Sequence, residues 1–171
     1  MLILTLTACR RAPLPDKSHT FVGEAVCAKC HGGPLGNQVH EHWQGTAHAR
    51  AWRDLAGERA RVVAREMGVA GDPQTAASCL VCHSTGQDAP EALRLAMPAA
   101  EGVSCEACHG PGGDYAKKLV MPETREAHRH GLRPDPQASC PMCHEAEVAH
   151  LKPFDYKARW PLVAHALPKK P

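Results

Sequence analysis

Apolar residues recur at roughly helical intervals in one long stretch of this chain. Trp43, Ala47, Ala51 and Leu55, followed by Val62, Val63 and Met67, form an approximately helical stripe. The pattern predicts one helix over about Trp43–Met67, stopped by Gly68 and by Gly71-Asp72-Pro73. Shorter helices are expected at Pro90–Ala96 and around Ala158–Ala166. The segment His109-Gly-Pro-Gly-Gly-Asp114 has no regular period and predicts a tight turn. No credible strand is visible, so the fold class is mainly α with extensive irregular chain.

Composition changes this picture in one respect. A length of 171 residues fits a single domain. Three Trp, two Tyr and two Phe, beside 14 Gly and 15 Pro, make a poor basis for an apolar core. Four copies of one five-residue pattern resolve the difficulty: Cys27–His31, Cys79–His83, Cys105–His109 and Cys140–His144 all read C-x-x-C-H. This is the attachment motif of c-type haem, in which two thiols form thioethers and the adjacent His coordinates iron. Nine Cys and twelve His in this chain give about 0.03 matches by chance, so four reject coincidence. Four covalently bound haems, each a large apolar disc, would fill the core, and the chain would wrap around them. The motifs are spaced unevenly along the chain, which excludes a solenoid.

Eight cysteines are thus assigned to haem: Cys27, Cys30, Cys79, Cys82, Cys105, Cys108, Cys140 and Cys143. The ninth, Cys9, ends the stretch Leu6-Thr7-Ala8-Cys9, which resembles a lipoprotein cleavage site after an apolar run. The expected organisation is a partial signal peptide over residues 1–8, a Pro-rich, charged tether over 9–20, and a tetrahaem domain over 21–171. Covalent haem attachment implies export, so the expected location is the periplasm or the outer face of a membrane, with a lipid anchor through Cys9. The formal net charge of +2, without a long basic stripe, gives no case for nucleic-acid binding.

His31, His83, His109 and His144 are the expected proximal iron ligands. The sixth position decides the chemistry. A second imidazole closes the iron for electron transfer, whereas an open position admits a small molecule. His19, His40, His42, His48, His128, His130, His150 and His165 are the remaining histidines.

The stretch Trp43-Gln-Gly-Thr-Ala-His48 follows the first motif, and Gly102-Val-Ser-Cys105-Glu-Ala-Cys108-His109-Gly-Pro-Gly-Gly contains the third. The fourth is followed by Pro153-Phe-Asp-Tyr156 and His165. In order and detail, these elements resemble the small tetrahaem cytochromes c typified by the electron acceptor of hydroxylamine oxidoreductase in ammonia-oxidising bacteria. The resemblance runs from about Phe21 to His165. It implies His48 as distal ligand opposite His144, and His165 opposite His109. It implies a distal ligand for the His31 haem from the segment between motifs three and four, where His128 and His130 are the candidates. The His83 haem is five-coordinate in the family's best-known member. The insertion Gly32–His42 departs from the family pattern and brings His40 and His42, either of which could cap that haem.

The expected function is electron transfer between a redox donor protein and a redox acceptor protein, without a substrate pocket. The alternative is reduction of a small nitrogen oxide, such as nitric oxide, at an open iron on His83. A third reading, two four-cysteine zinc sites, is disfavoured by the His that follows every Cys pair.

Overall fold

The computed structural model describes residues 19–145 and 153–165. Cys9, His150 and the signal-peptide region lie outside the described residues, as does almost all of the tether. The described chain is helical with long irregular connections and contains no strand.

Nine short α-helices follow one another: α1 Glu24–His31, α2 Val39–Gln44, α3 Ala47–Asp54, α4 Glu58–Glu66, α5 Ala77–His83, α6 Cys105–His109, α7 Thr124–Arg129, α8 Pro141–His144 and α9 Tyr156–Arg159. Each C-x-x-C-H motif closes a helix (α1, α5, α6 or α8), and in all four the His is the final helical residue. Residues i, i+3 and i+4 share one face of a helix. Both thiols and the imidazole of each motif therefore project to the same side, as attachment to one flat macrocycle requires.

The long helix expected over Trp43–Met67 is three helices, α2, α3 and α4. Gly45 caps the end of α2, and Gly57 is the extended residue before α4. Each break resets the helical phase, so the burial pattern differs from the expected stripe. Leu55 is buried as expected, but Val62 and Met67 are exposed, and Ala49 and Ala64 are buried instead. The helix expected at Pro90–Ala96 is a single 3-10 turn at Glu91–Leu93. Near the C-terminus, α9 starts two residues early and passes into a 3-10 turn at Trp160–Leu162. The turn after His109 is present. Gly110 takes φ +87°, and a Cβ there would lie 2.6 Å from the Gly131 carbonyl oxygen.

The polypeptide's own apolar core is small. Among the described residues its buried apolar members are Phe21, Ala49, Leu55, Ala64, Met97, Tyr115 and Ala127. Polar bonds do much of the positioning. Thr46 caps α3, accepting from the Ala49 N–H at 3.4 Å while its hydroxyl donates to the Trp43 carbonyl at 2.7 Å. The Trp43 indole donates to the Val103 carbonyl at 2.9 Å, and the Val103 N–H donates to the His48 carbonyl at 3.0 Å. The Trp43–His48 stretch and the Gly102–Cys105 stretch thus hold one another. Gly102 permits this approach, because at its φ of +71° a Cβ would lie 2.8 Å from the His48 oxygen.

Candidate functional site

The four attachment helices meet in two pairs. Helix α1 contacts α6, and helix α5 contacts α8. At the first contact the thiols of Cys27 and Cys105 lie close enough to shift one another's ionisation, and at the second those of Cys82 and Cys143 do so. The first motif is therefore set against the third, and the second against the fourth.

Two of the motif histidines face another imidazole. The rings of His48 and His144 have centroids 6.0 Å apart at 50°. Those of His109 and His165 are 5.9 Å apart at 42°. A metal–imidazole bond of about 2 Å, plus about 1 Å from nitrogen to ring centre, places opposed rings about 6 Å apart across one metal ion. The observed separations meet that requirement. Burial lowers the pKa of the His48 imidazole, with His144 adding to the effect. For His109, burial first, then His165, His31 and the Arg133 guanidinium, lower the pKa to about 4. His31 and His144 are likewise lowered, mainly by burial. Neutral imidazole is the form that binds iron.

Two motif rings, His83 and His144, are held by further contacts. The His83 Nδ1 lies 3.0 Å from the Ala51 carbonyl oxygen, which fixes that nitrogen as the protonated one and leaves Nε2 for a metal. The α3–α5 connection that sets this contact is tied by the Trp52 indole donating to the Gln74 carbonyl at 3.3 Å and by the Gln74 amide donating back to the Trp52 carbonyl at 3.3 Å. The His144 ring stacks on Phe154 at 4.2 Å and 16°.

The remaining histidines divide clearly. His128 is exposed, and its Nδ1 donates to the Leu132 carbonyl at 2.8 Å, again leaving Nε2 free. His130 is exposed, with Nε2 4.0 Å from the Glu126 carboxylate. His40 Nε2 is hydrogen-bonded to the Glu24 carboxylate and sits beside Trp43, so the structure directs it to α1. His42 is exposed on α2. His19 pairs with Asp114 at 2.7 Å. Among the described residues no aromatic or imidazole ring is stacked with His83 or with His31.

The residues fit haem in a further respect. Arg94 Nε and Tyr156 Oη are buried without a hydrogen-bond partner. Both can donate, and haem propionates are acceptors. The cysteine pairs do not fit zinc. Among the described residues no group of three or more His, Cys, Asp or Glu converges as a metal site.

Sequence reasoning missed one residue here. Glu106, a spacer of the third motif, is 1% exposed and accepts three backbone N–H groups. A signal was present in an acidic spacer within the motif that leads into a Gly-Pro-Gly-Gly turn.

Comparison with known proteins agrees with this geometry. Residues 26–110, which contain the first three motifs, match the family model described as cytochrome c554 and c-prime. Cytochrome c-554 of Nitrosomonas europaea is 32% identical over 106 residues, covering 57% of this chain and 43% of that protein. The chain thus aligns with less than half of the relative's length. The solved structure of the reduced state of cytochrome c554 from Nitrosomonas europaea superposes with a TM-score of 0.54 at 20% identity, covering 86% of this chain and 79% of that chain. Fold and motifs define a multihaem c-type cytochrome, with iron carried on four covalently attached haems. Within that class, the chain is similar to the tetrahaem cytochrome c554 family over residues 26–110 and shares the fold of its solved member.

Proposed function

We propose that this protein is an electron carrier that passes single electrons between a donor and an acceptor redox protein. The observation that carries the reading is the pair of opposed imidazoles, His48 with His144 and His109 with His165. Each bound haem supplies a one-electron ferric/ferrous couple. The chain's part is to attach it through the eight motif cysteines and to hold an imidazole on each face. A site closed in this way has no place for a substrate, and its ligands need not rearrange when the charge changes.

His128 is our choice over His130 as the distal ligand opposite His31. Its Nδ1 is occupied by the Leu132 carbonyl and its Nε2 is free, whereas the Nε2 of His130 turns toward Glu126. The arrangement by function is therefore a tetrahaem domain over residues 21–171. Haem attachment by thioethers argues for export to the periplasm. A lipid anchor at Cys9, after a signal peptide over residues 1–8 and followed by a tether over 9–20, remains part of this proposal. Among the described residues no helix is long and apolar enough to cross a membrane.

A second reading, reduction of nitric oxide on the iron of His83, rests on a different feature. No ring is stacked with His83 among the described residues, and His40, one of its two expected caps, is engaged by Glu24. Protein-film voltammetry of the holoprotein separates the two readings. Four reversible one-electron waves, unchanged by nitric oxide, support the carrier. A catalytic current that appears on adding nitric oxide replaces it with the reductase.

A further inference from the structure

Glu106 is a charged side chain in an unusual place. It is the largest fully buried side chain among the described residues, and it sits on α6 against the entry of α1. Its Oε1 accepts from the Val22 N–H at 3.0 Å and from the Gly112 N–H at 2.6 Å. Its Oε2 accepts from the Gly23 N–H at 2.9 Å and, more weakly, from Val22 at 3.2 Å. Val22 and Gly23 lead into α1, which carries the first motif, while Gly112 follows α6, which carries the third. One carboxylate therefore joins the entry of one attachment helix to the exit of the other.

The hydrogen bonds also favour the ionised form. Both oxygens face N–H donors, so a proton on either would point at another donor hydrogen. Burial opposes ionisation and pushes the Glu106 carboxyl up, while the three N–H bonds oppose that push. Two further carboxylates lie nearby. Glu101 accepts the Glu24 N–H at 3.0 Å, and both Glu101 and Glu106 act on the Cys27 thiol. A cation on this side is Arg133, whose Nη1 donates to the Ala107 carbonyl at 2.7 Å and to the Ser139 hydroxyl at 2.6 Å. It bonds the backbone of the third motif and does not neutralise Glu106 directly.

We propose that Glu106 is a positioning residue for electron transfer: an ionised clamp that docks the first attachment helix on the third and holds the haems of His31 and His109 at lower reduction potential by its fixed negative charge. A buried anion favours the ferric over the ferrous state of nearby iron, because reduction removes a positive charge that it had stabilised. The haems of His83 and His144 are attached on the other helix pair and feel this charge less. The inference rests on the carrier reading but fails separately from it.

The test is a spectroelectrochemical titration of the full holoprotein carrying Glu106→Gln, which is nearly isosteric but neutral. The expected result keeps four attached haems and favours reduction of the His31 and His109 sites about tenfold in equilibrium constant, 59 mV upward for a one-electron couple. The other two sites should move much less. Glu106→Asp, which retains the charge, should return the potentials most of the way to the parent values. Equal shifts at all four sites, or a Gln variant with intact haems and unchanged potentials, would overturn the proposal. If the Gln variant does not mature, redox-difference infrared spectroscopy of the parent protein with carboxyl-labelled Glu decides. An ionised carboxylate band perturbed when the first pair is reduced supports the clamp, and a protonated-carboxyl band refutes it. The carrier reading fails instead if the parent protein shows no reversible waves.

Discussion

The two halves of this molecule solve the same problem with different materials. In the half built on α1 and α6, the attachment helices are joined by backbone amides that converge on the Glu106 carboxylate. Tyr115 is buried beside them, and its hydroxyl donates to the Gly110 carbonyl at 2.7 Å. In the half built on α5 and α8, rings and backbone carbonyls do the work. His144 stacks on Phe154 and faces His48, and His83 leans on the Ala51 carbonyl. The spacer side chains differ in the same sense, since Glu106 is buried whereas Val81 and Met142 are exposed. The first half is polar inside and sensitive to charge. The second is held by ring contacts and depends on shape. A protein with so small an apolar core of its own can build two unlike cofactor beds because the cofactor contributes the bulk of the apolar surface in each.

The comparison can be broken most severely at Glu106. Glu106→Ala leaves three buried N–H groups without an acceptor, at about 1–3 kcal/mol each. Denaturant unfolding of the holoprotein should show a loss of several kcal/mol, and its spectroscopic signature should begin in the His31–His109 half. Equal loosening of both halves would mean that the clamp is not local.

Acid should act in the same direction on the same half. The His109 imidazole is lowered by burial to about 4, below the ordinary value near 6.5. The unfolded state therefore binds more protons between those values. The stability contributed by neutral His109 is complete above about pH 6.5 and is lost as the pH falls through the window down to about 4. Competition between proton and iron for the same nitrogen has the same sign. Absorbance of the oxidised protein, followed from pH 7 to pH 4, should report loss of low-spin ligation at His109 on acidification. Loss on raising the pH through that range would contradict the assignment.

The second half should respond to shape. Phe154→Ala removes the ring stacked on His144, a contact worth about 0.5–1.5 kcal/mol beyond its buried area. The expected result is a modest loss of stability together with an altered ligand-field signal from one haem. A smaller effect is expected from Thr46→Ala, which removes the cap of α3 at about 1 kcal/mol and loosens His48. Thermal unfolding and the low-spin signal of the His144 haem would both report it. If either change perturbed the Glu106 half more than its own, the division into two beds would be wrong.

The four C-x-x-C-H motifs and the helix ends that carry them were legible in the sequence, because the pattern occupies five consecutive positions. The opposed partners His48 and His165 were legible only through family likeness, since each lies far along the chain from the ring it faces. The breaks at Gly45 and Gly57 were visible as glycines, but a continuous apolar stripe outweighed them. The structure shows the phase restarting at each. His40 looked free in the sequence because its partner Glu24 lies sixteen residues earlier, on another helix. Glu106 was hidden because its partners are backbone amides, which any residue can provide and no side-chain pattern records.

The central claim is that opposed imidazoles close the irons of His109 and His144. Low-temperature EPR of the oxidised holoprotein, integrated against total haem, tests it most directly. Low-spin ferric signal from at least two haems, reduced by one haem equivalent in His48→Ala and by one in His165→Ala, is the expected result. Low-spin signal that both substitutions leave unchanged, or a parent spectrum dominated by high-spin iron, would contradict it.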